Sequence, residues 1–318
     1  VIVTLTPNPS VDQTVTLEGP LTRGDVLRAR SFAHQAGGKG VNISRAAVAA
    51  DVATVAVVPC PAEDAFVVEL EAQGVTCQPV ATTASPRLNV TITEPDGTTT
   101  KVNSPGPVAS TELLETLAAA VEKHAATASW VVLAGSLPPG APATWYADLV
   151  TRVHPHAPVA VDTSDAPLAA LVTRLGDARP ALMKPNADEL AAATGLDPES
   201  LQQPGAAASA AGRLVEAGLG ACLVTLGAGG AVLVTAEGAW HAAPPPTTVV
   251  STVGAGDSSL FGYLLADTRG LDAPDKLRLA VAYGSAAAGL PGTTIPTPTQ
   301  ARPDLVAVRA LDHHLGGR

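Results

Sequence analysis

Short apolar runs rich in Val, Leu and Ala recur along the chain, with helix-length stretches between them. They occupy residues 1–5, 52–58, 130–134, 159–161, 181–183, 222–226 and 231–234. Strand followed by helix, repeated in this way, predicts a largely parallel sheet with helices on both faces. The intervening stretches behave accordingly. Residues 111–127 carry apolar positions at helical spacing behind Ser110 as a cap, and residues 188–194 follow Pro185 and Asn186, a start signal for a helix.

Two segments break this pattern. Residues 11–17 alternate with Thr, and residues 88–102 read as a hairpin whose arms, 88–93 and 98–102, are joined through Pro95-Asp96-Gly97. Together they predict a small β-lid near 11–36 and 86–104. Side chains of a strand alternate between its faces, so such a lid can turn one face to a ligand and the other to the core or to a second subunit. Pro244-Pro245-Pro246 forms a stiff connection into a further strand-like run at 247–252. The polar, Gly-rich residues 312–318 are expected to fray.

With 318 residues, 46% of them apolar and 15% charged, the chain can bury a large core, and no shift in composition divides it. A single domain over 1–318 is expected. The net charge of −10 argues against a general nucleic-acid or anionic-membrane surface. Cys60, Cys77 and Cys222 are odd in number and widely spaced, without a metal-ligand pattern. No basic leader and no uninterrupted apolar run of membrane-spanning length is present, so the expectation is a soluble, cytoplasmic protein.

The chemistry concentrates where strands end and helices begin. Gly254-Ala255-Gly256-Asp257 leads into an apolar helix-like run, so unpaired backbone N–H groups and a positive dipole end lie beside a carboxylate. That combination suits phosphoryl transfer, with donors around the moving group and Asp257 as the base for the attacking hydroxyl. The same residues also suit an ordinary N-capped helix. Gly37-Gly38-Lys39-Gly40-Val41-Asn42 opens an alanine-rich helix, and Thr6 to Asp12 ends the first strand. Lys184, Asn186 and Glu189 lie where another strand runs into a helix. Asn186 and Glu189, three apart, share a helix face and can hold Mg²⁺ through waters, or can simply cap their helix.

The Gly-Gly-Lys-Gly-Val-Asn, Lys-Pro-Asn-x-x-Glu and Gly-Ala-Gly-Asp runs, in this order and spread over nearly the whole chain, resemble the ribokinase-like (PfkB) carbohydrate kinases. Thr6-Pro7-Asn8-Pro9-Ser10-Val11-Asp12, Arg87-Leu88-Asn89-Val90 and Gly135-Ser136-Leu137-Pro138-Pro139-Gly140 are similar to the branch containing 1-phosphofructokinases and tagatose-6-phosphate kinases. The resemblance implies a three-layer α/β/α sandwich with a β-sheet lid, which in several relatives also makes a homodimer contact. It implies ATP and Mg²⁺, and transfer to the 6-hydroxyl of fructose 1-phosphate, with tagatose 6-phosphate and fructose 6-phosphate as alternative acceptors.

By the same resemblance, Asp257 is the base, and Gly254, Ala255 and Gly256 surround the phosphoryl group. Asp12, Gly37, Gly38 and Asn42 hold the sugar, and Lys39 faces the anionic substrate. Lys184, Asn186, Thr225, Gly227 and Gly230 serve the nucleotide, with Asn186 and Glu189 at the metal. Arg28 and Arg87 match positions where sugar-phosphate-specific relatives carry basic residues; Lys101 and Ser136 are added as neighbours of the acceptor phosphate. Arginine's rigid fork suits a phosphate. Three positions depart from the pattern: Phe261, the 60–64 turn, and Asp165, where relatives often carry Gly. A sugar-phosphate-binding regulator without turnover is the rival from another class. A dinucleotide-binding dehydrogenase is excluded, because no Gly-x-Gly-x-x-Gly follows the first strand.

Overall fold

The computed structural model describes residues 1–312, so the expected frayed end lies, beyond Asp312, outside the described residues. The first half of the chain runs β1 (Ile2–Leu5), β2 (Ser10–Leu17), β3 (Ala29–Gly37), α1 (Lys39–Ala49), β4 (Thr54–Pro59), α2 (Ala65–Ala72), β5 (Thr76–Val80), β6 (Arg87–Thr93), β7 (Thr99–Asn103), α3 (Thr111–Ala125), β8 (Trp130–Ala134) and α4 (Trp145–Val153). The second half adds β9 (Val159–Asp162), α5 (Asp165–Val172), α6 (Leu175–Ala178), β10 (Leu182–Met183), α7 (Ala187–Thr194), α8 (Pro204–Glu216), β11 (Ala221–Thr225), β12 (Ala231–Thr235), β13 (Gly238–Ala243), α9 (Ala255–Thr268), α10 (Ala273–Ala288) and β14 (Ala307–Leu311).

A ten-stranded sheet in the order β14-β13-β12-β11-β10-β9-β8-β1-β4-β5 forms the middle layer. From β11 to β5 every neighbouring pair is parallel, whereas β12, β13 and β14 join antiparallel at one end. Alternate residues of the central strands feed two separate cores. Val3, Leu5, Val131, Leu133 and Val224 pack with α3, α4 and α8, while Ile2, Val132, Ala160, Leu182 and Leu223 pack with α1, α9 and α10. Burial on both faces is why these strands read as unbroken apolar runs. Parallel connection brings the strand ends and the following helix starts to one edge of the sheet, where binding crevices form.

The lid is a separate four-stranded sheet, β3-β2-β6-β7. Its hairpin β6–β7 has the predicted arms, and β2 pairs parallel with β6 so that Ser10 stands beside Arg87 and Asp12 beside Asn89. Those residues share one face. No helix among the described residues is long and apolar enough to cross a membrane.

Several expectations need correction. Residues 247–252 form no strand. The prolines ahead of them lack N–H groups, and the N–H groups of Val250 and Ser251 bond to the Ala288 carbonyl at the end of α10 instead of joining a sheet. Strands β5, β13 and β14 were not legible as apolar runs, since they lie towards the sheet's edges and are only partly buried. The three departures are absorbed locally. Phe261 is fully buried and meets Tyr283 edge-on at 5.2 Å, joining α9 to α10. Asp64 caps α2 by accepting from Phe66 N at 2.9 Å. Asp165 takes φ 55°, the left-handed region that glycine favours. The thiols are core groups: burial pushes Cys60 and Cys222 up to about 12 and Cys77 to about 11.

Candidate active site

A cleft of about 1020 Å³ lies between the lid and the carboxyl edge of the large sheet. Its floor is the start of α9. Gly254 takes φ 78°, a conformation that costs glycine little, and no side chain caps the helix behind it. The first N–H groups of α9 are therefore open to an anion. Asp257 stands in that first turn, buried, and its Oδ2 accepts from Asn42 Nδ2 at 2.8 Å. Burial, then repulsion from Asp162, pushes its carboxyl up to about 6, against the pull of Lys39, Asn42 and Lys184.

Beneath the cleft, Asp162 at the end of β9 gathers two lysines. Lys39 donates to Asp162 Oδ1 at 2.7 Å, and Lys184 lies 3.2 Å from Oδ2. Burial opposes ionisation of Asp162, but Lys184 and Lys39 outweigh it and hold the carboxyl below its ordinary range. Burial likewise opposes the Lys39 charge; Asp162, with Asp257 and Glu189, more than offsets it and raises the group above its usual value. Lys184 also lies close to the first turn of α9, since a Cβ on Gly256 would come within 3.2 Å of its Nζ. Two cations thus sit beside one helix N-terminus, with two carboxylates to balance them. An anionic phosphate group would meet both the dipole and the ammonium groups.

The lid supplies the opposite wall. Asp12 Oδ1 accepts from Ser10 Oγ at 2.8 Å and from Asn89 Nδ2 at 3.0 Å, which orients the carboxylate. Arg87, half-buried, donates from Nη1 to the Ser104 carbonyl at 3.1 Å and has a buried Nε with no partner. Asn8, Asn42 and Asn89 each hold an unpaired buried Oδ1. Unpaired buried acceptors are costly unless a ligand supplies donors, and a sugar's hydroxyls do.

On the far side, Thr225, Gly227, Gly230, Pro244 to Pro246 and Val249 line the cleft together with Asn186 and Glu189. Asn186 and Glu189 form a reciprocal cap on α7: Asn186 Oδ1 accepts from Glu189 N at 2.8 Å and Glu189 Oε2 from Asn186 N at 2.9 Å. The helix-cap alternative is therefore realised, and it leaves Glu189 Oε1 outside the box.

A family model described as pfkB family carbohydrate kinase matches residues 5–300. The chain belongs to that family. A 1-phosphofructokinase of Rhodobacter capsulatus is 39% identical over 93% of this chain and 93% of its own length. One from Haloferax volcanii is 36% identical, again over 93% of each chain. A crystal structure of phosphofructokinase-2 from Escherichia coli in complex with potassium superposes with a TM-score of 0.86 at 28% identity, covering 95% of this chain and 96% of that one. The sandwich with its separate lid is the architecture of this pfkB kinase as well as of its structural neighbour.

In this pfkB kinase most residues singled out from sequence line one cleft: Asp12, Gly38, Lys39, Asn42, Arg87, Ser136, Lys184, Asn186, Glu189, Thr225, Gly227, Gly230 and Gly254 to Asp257. Gly37 stands behind Asp12, so close that a Cβ would meet Asp12 Oδ2. Two residues lie elsewhere. Arg28 is exposed on the connection between β2 and β3, outside the cleft lining, and Lys101 is exposed on the outermost lid strand, past the level of Asn89. Sequence reasoning assigned no role to Asp162, Asn89, Asn8 or Ser10. Asp162 carried a usable signal, a carboxylate at the carboxyl end of a buried strand. Asn89 stood in one of the runs that carry the family resemblance, but its partnership with Asp12 depends on the β2–β6 register.

Proposed function

We propose that the protein transfers the γ-phosphoryl group of ATP to the 6-hydroxyl of fructose 1-phosphate, giving fructose 1,6-bisphosphate and ADP. The observation that carries this reading is a buried carboxylate, Asp257, at an uncapped helix N-terminus in a cleft that also holds Arg87 and Asn89 of the lid and the unpaired amide oxygens of Asn8, Asn42 and Asn89. The names of the relatives support the same acceptor. Asp257 takes the proton of the attacking hydroxyl, while the N–H groups of the α9 turn and Lys184 receive the charge of the phosphoryl oxygens. Asp12, held by Ser10 and Asn89, accepts from sugar hydroxyls. Arg87 and Ser136, both in the cleft lining, take the phosphate already on the substrate.

Asn186 and Glu189 are the residues we assign to Mg²⁺. Glu189 Oε1, left outside the helix cap, suits an ion kept largely by its waters and the nucleotide phosphates. When bound, Mg²⁺ screens the charge of those phosphates. The family match over 5–300 and the continuous large sheet support one kinase domain over the chain, and we assign it to the cytoplasm, where ATP is supplied.

The outer face of the lid is apolar and unpartnered: Phe32, Leu88 and Val102 are exposed there, on β3, β6 and β7. We assign it to self-association with a second copy of this chain, since lid edges and apolar strand faces favour pairing. The first test of the catalytic reading is ADP release with Mg-ATP and fructose 1-phosphate, fructose 6-phosphate, tagatose 6-phosphate, fructose or ribose. Turnover with fructose 1-phosphate above the others is the expected result. Turnover on the unphosphorylated sugars alone would overturn the arginine site, and tight acceptor binding without ADP release would favour a regulator.

A further inference from the structure

Gln35 on β3 pairs in register with Asp12 on β2, so its side chain leaves the lid on the same face as the acceptor carboxylate. It does not line the cleft, and the chemistry assigned above makes no use of it. Its amide nevertheless reaches two parts of the body of the enzyme. In the orientation that satisfies both neighbours, Nε2 donates to Thr293 Oγ1 at 2.5 Å, and Oε1 accepts from Arg45 Nη1 at 2.9 Å and from Nη2.

Each contact leads towards the reacting centre. Arg45 belongs to α1, the helix that also carries Lys39 and Asn42; burial lowers its pKa, while Glu69 and Asp12 sustain its charge. Thr293 belongs to the turn after α10 and lines the cleft. Its Cα lies 3.8 Å from where a Cβ on Gly254 would stand, and the end of α10 is bonded to Val250 and Ser251 ahead of that glycine. A single neutral amide, with one donor and one acceptor used, therefore ties the acceptor sheet to α1 and to the turn at the start of α9.

We propose that Gln35 is a positioning residue that latches the lid to the Gly254 turn and so directs the γ-phosphoryl group to the sugar and away from water. The inference rests on the kinase reading above. In the competing reaction a water oxygen bonds to the γ-phosphorus, the bridging oxygen leaves with ADP, and the water's proton is released with phosphate. Holding Asp12 over Asp257 keeps that water out and fixes the acceptor hydroxyl in line.

The test uses Gln35→Met and Thr293→Val, singly and combined, with Gln35→Glu as the conservative variant that can still accept from Arg45 and from the Thr293 hydroxyl. ADP release is measured with Mg-ATP alone, and against sugar bisphosphate formed when fructose 1-phosphate is added. Each single variant is expected to raise acceptor-free ADP release relative to transfer by about tenfold and to raise the acceptor KM, with the ATP KM unchanged. The double variant should be no worse than the worse single, and Gln35→Glu should restore most of the coupling. Wild-type partition in both singles, multiplied effects in the double, or a change confined to melting temperature would each overturn the latch. Acceptor-free ADP release reads the latch whichever sugar phosphate is the substrate. Failure of the wild type on every ketose phosphate would count against the acceptor assignment alone.

Discussion

Asp257 combines two properties that a base for a sugar hydroxyl needs: it is fixed by Asn42, and it is less acidic than a free carboxylate. Asp257→Asn keeps the size and the contact but removes the base, and turnover should fall by about 10²- to 10⁴-fold with the melting temperature little changed. The base must be ionised to act. Its carboxyl is pushed up to about 6, so kcat/KM should fall tenfold per unit as pH drops below that value and be level above it. Asp162→Asn removes the repulsion that, after burial, raises Asp257, and ends the competition of Asp162 for Lys39 and Lys184. The acid limb of the pH profile should then move to lower pH while turnover drops, and a limb that stays in place would separate Asp162 from the tuning of the base. Asp165 illustrates a different local constraint. Its left-handed backbone is one that glycine adopts without strain, and Asp165→Gly should leave stability unchanged or raise it by up to about 1 kcal/mol in a denaturant titration.

Helices were the most legible features because their signals are local. Ser110 caps α3 by accepting from Leu113 N, as its position before an apolar-periodic run implied, and Asn186 caps α7 where the sequence offered a start. Buried strands were legible to within a residue or two. The run at 222–226 is β11 at Ala221–Thr225, and 52–58 is β4 at Thr54–Pro59. Residues 247–252 misled because β-branched composition signals a capacity for pairing, not the presence of a partner strand. How α9 meets α10 was hidden altogether. The two helices approach so closely at Gly262 that a Cβ would lie 2.5 Å from the Leu279 carbonyl, and beside them Phe261 closes on Tyr283. Gly262→Ala should therefore cost about 1–3 kcal/mol, read as a lowered melting temperature, although alanine favours helix in isolation.

The lid gives the molecule its second surface. If its apolar outer face joins two copies, Phe32→Glu should shift the sedimenting species to half the mass at micromolar concentration; an unchanged mass would remove this face as the interface. Such an assembly would also brace the sheet that holds Asp12 and Arg87 above Asp257. What could be read from the chain alone was the set of elements, their alternation, the family pattern and most of the residues at the cleft, because each depends on short-range spacing or on a motif within a few residues. The folded molecule was needed for everything that depends on distance across the chain. It brings Asp162 beneath two lysines 123 and 22 residues away in sequence, pairs Asn89 with Asp12 through strand register, and leaves Arg28 and Lys101 outside the cleft. Charge balance, burial and register are properties of that packing, and they set the acidity of Asp257 as well as the place of every group that lines the cleft.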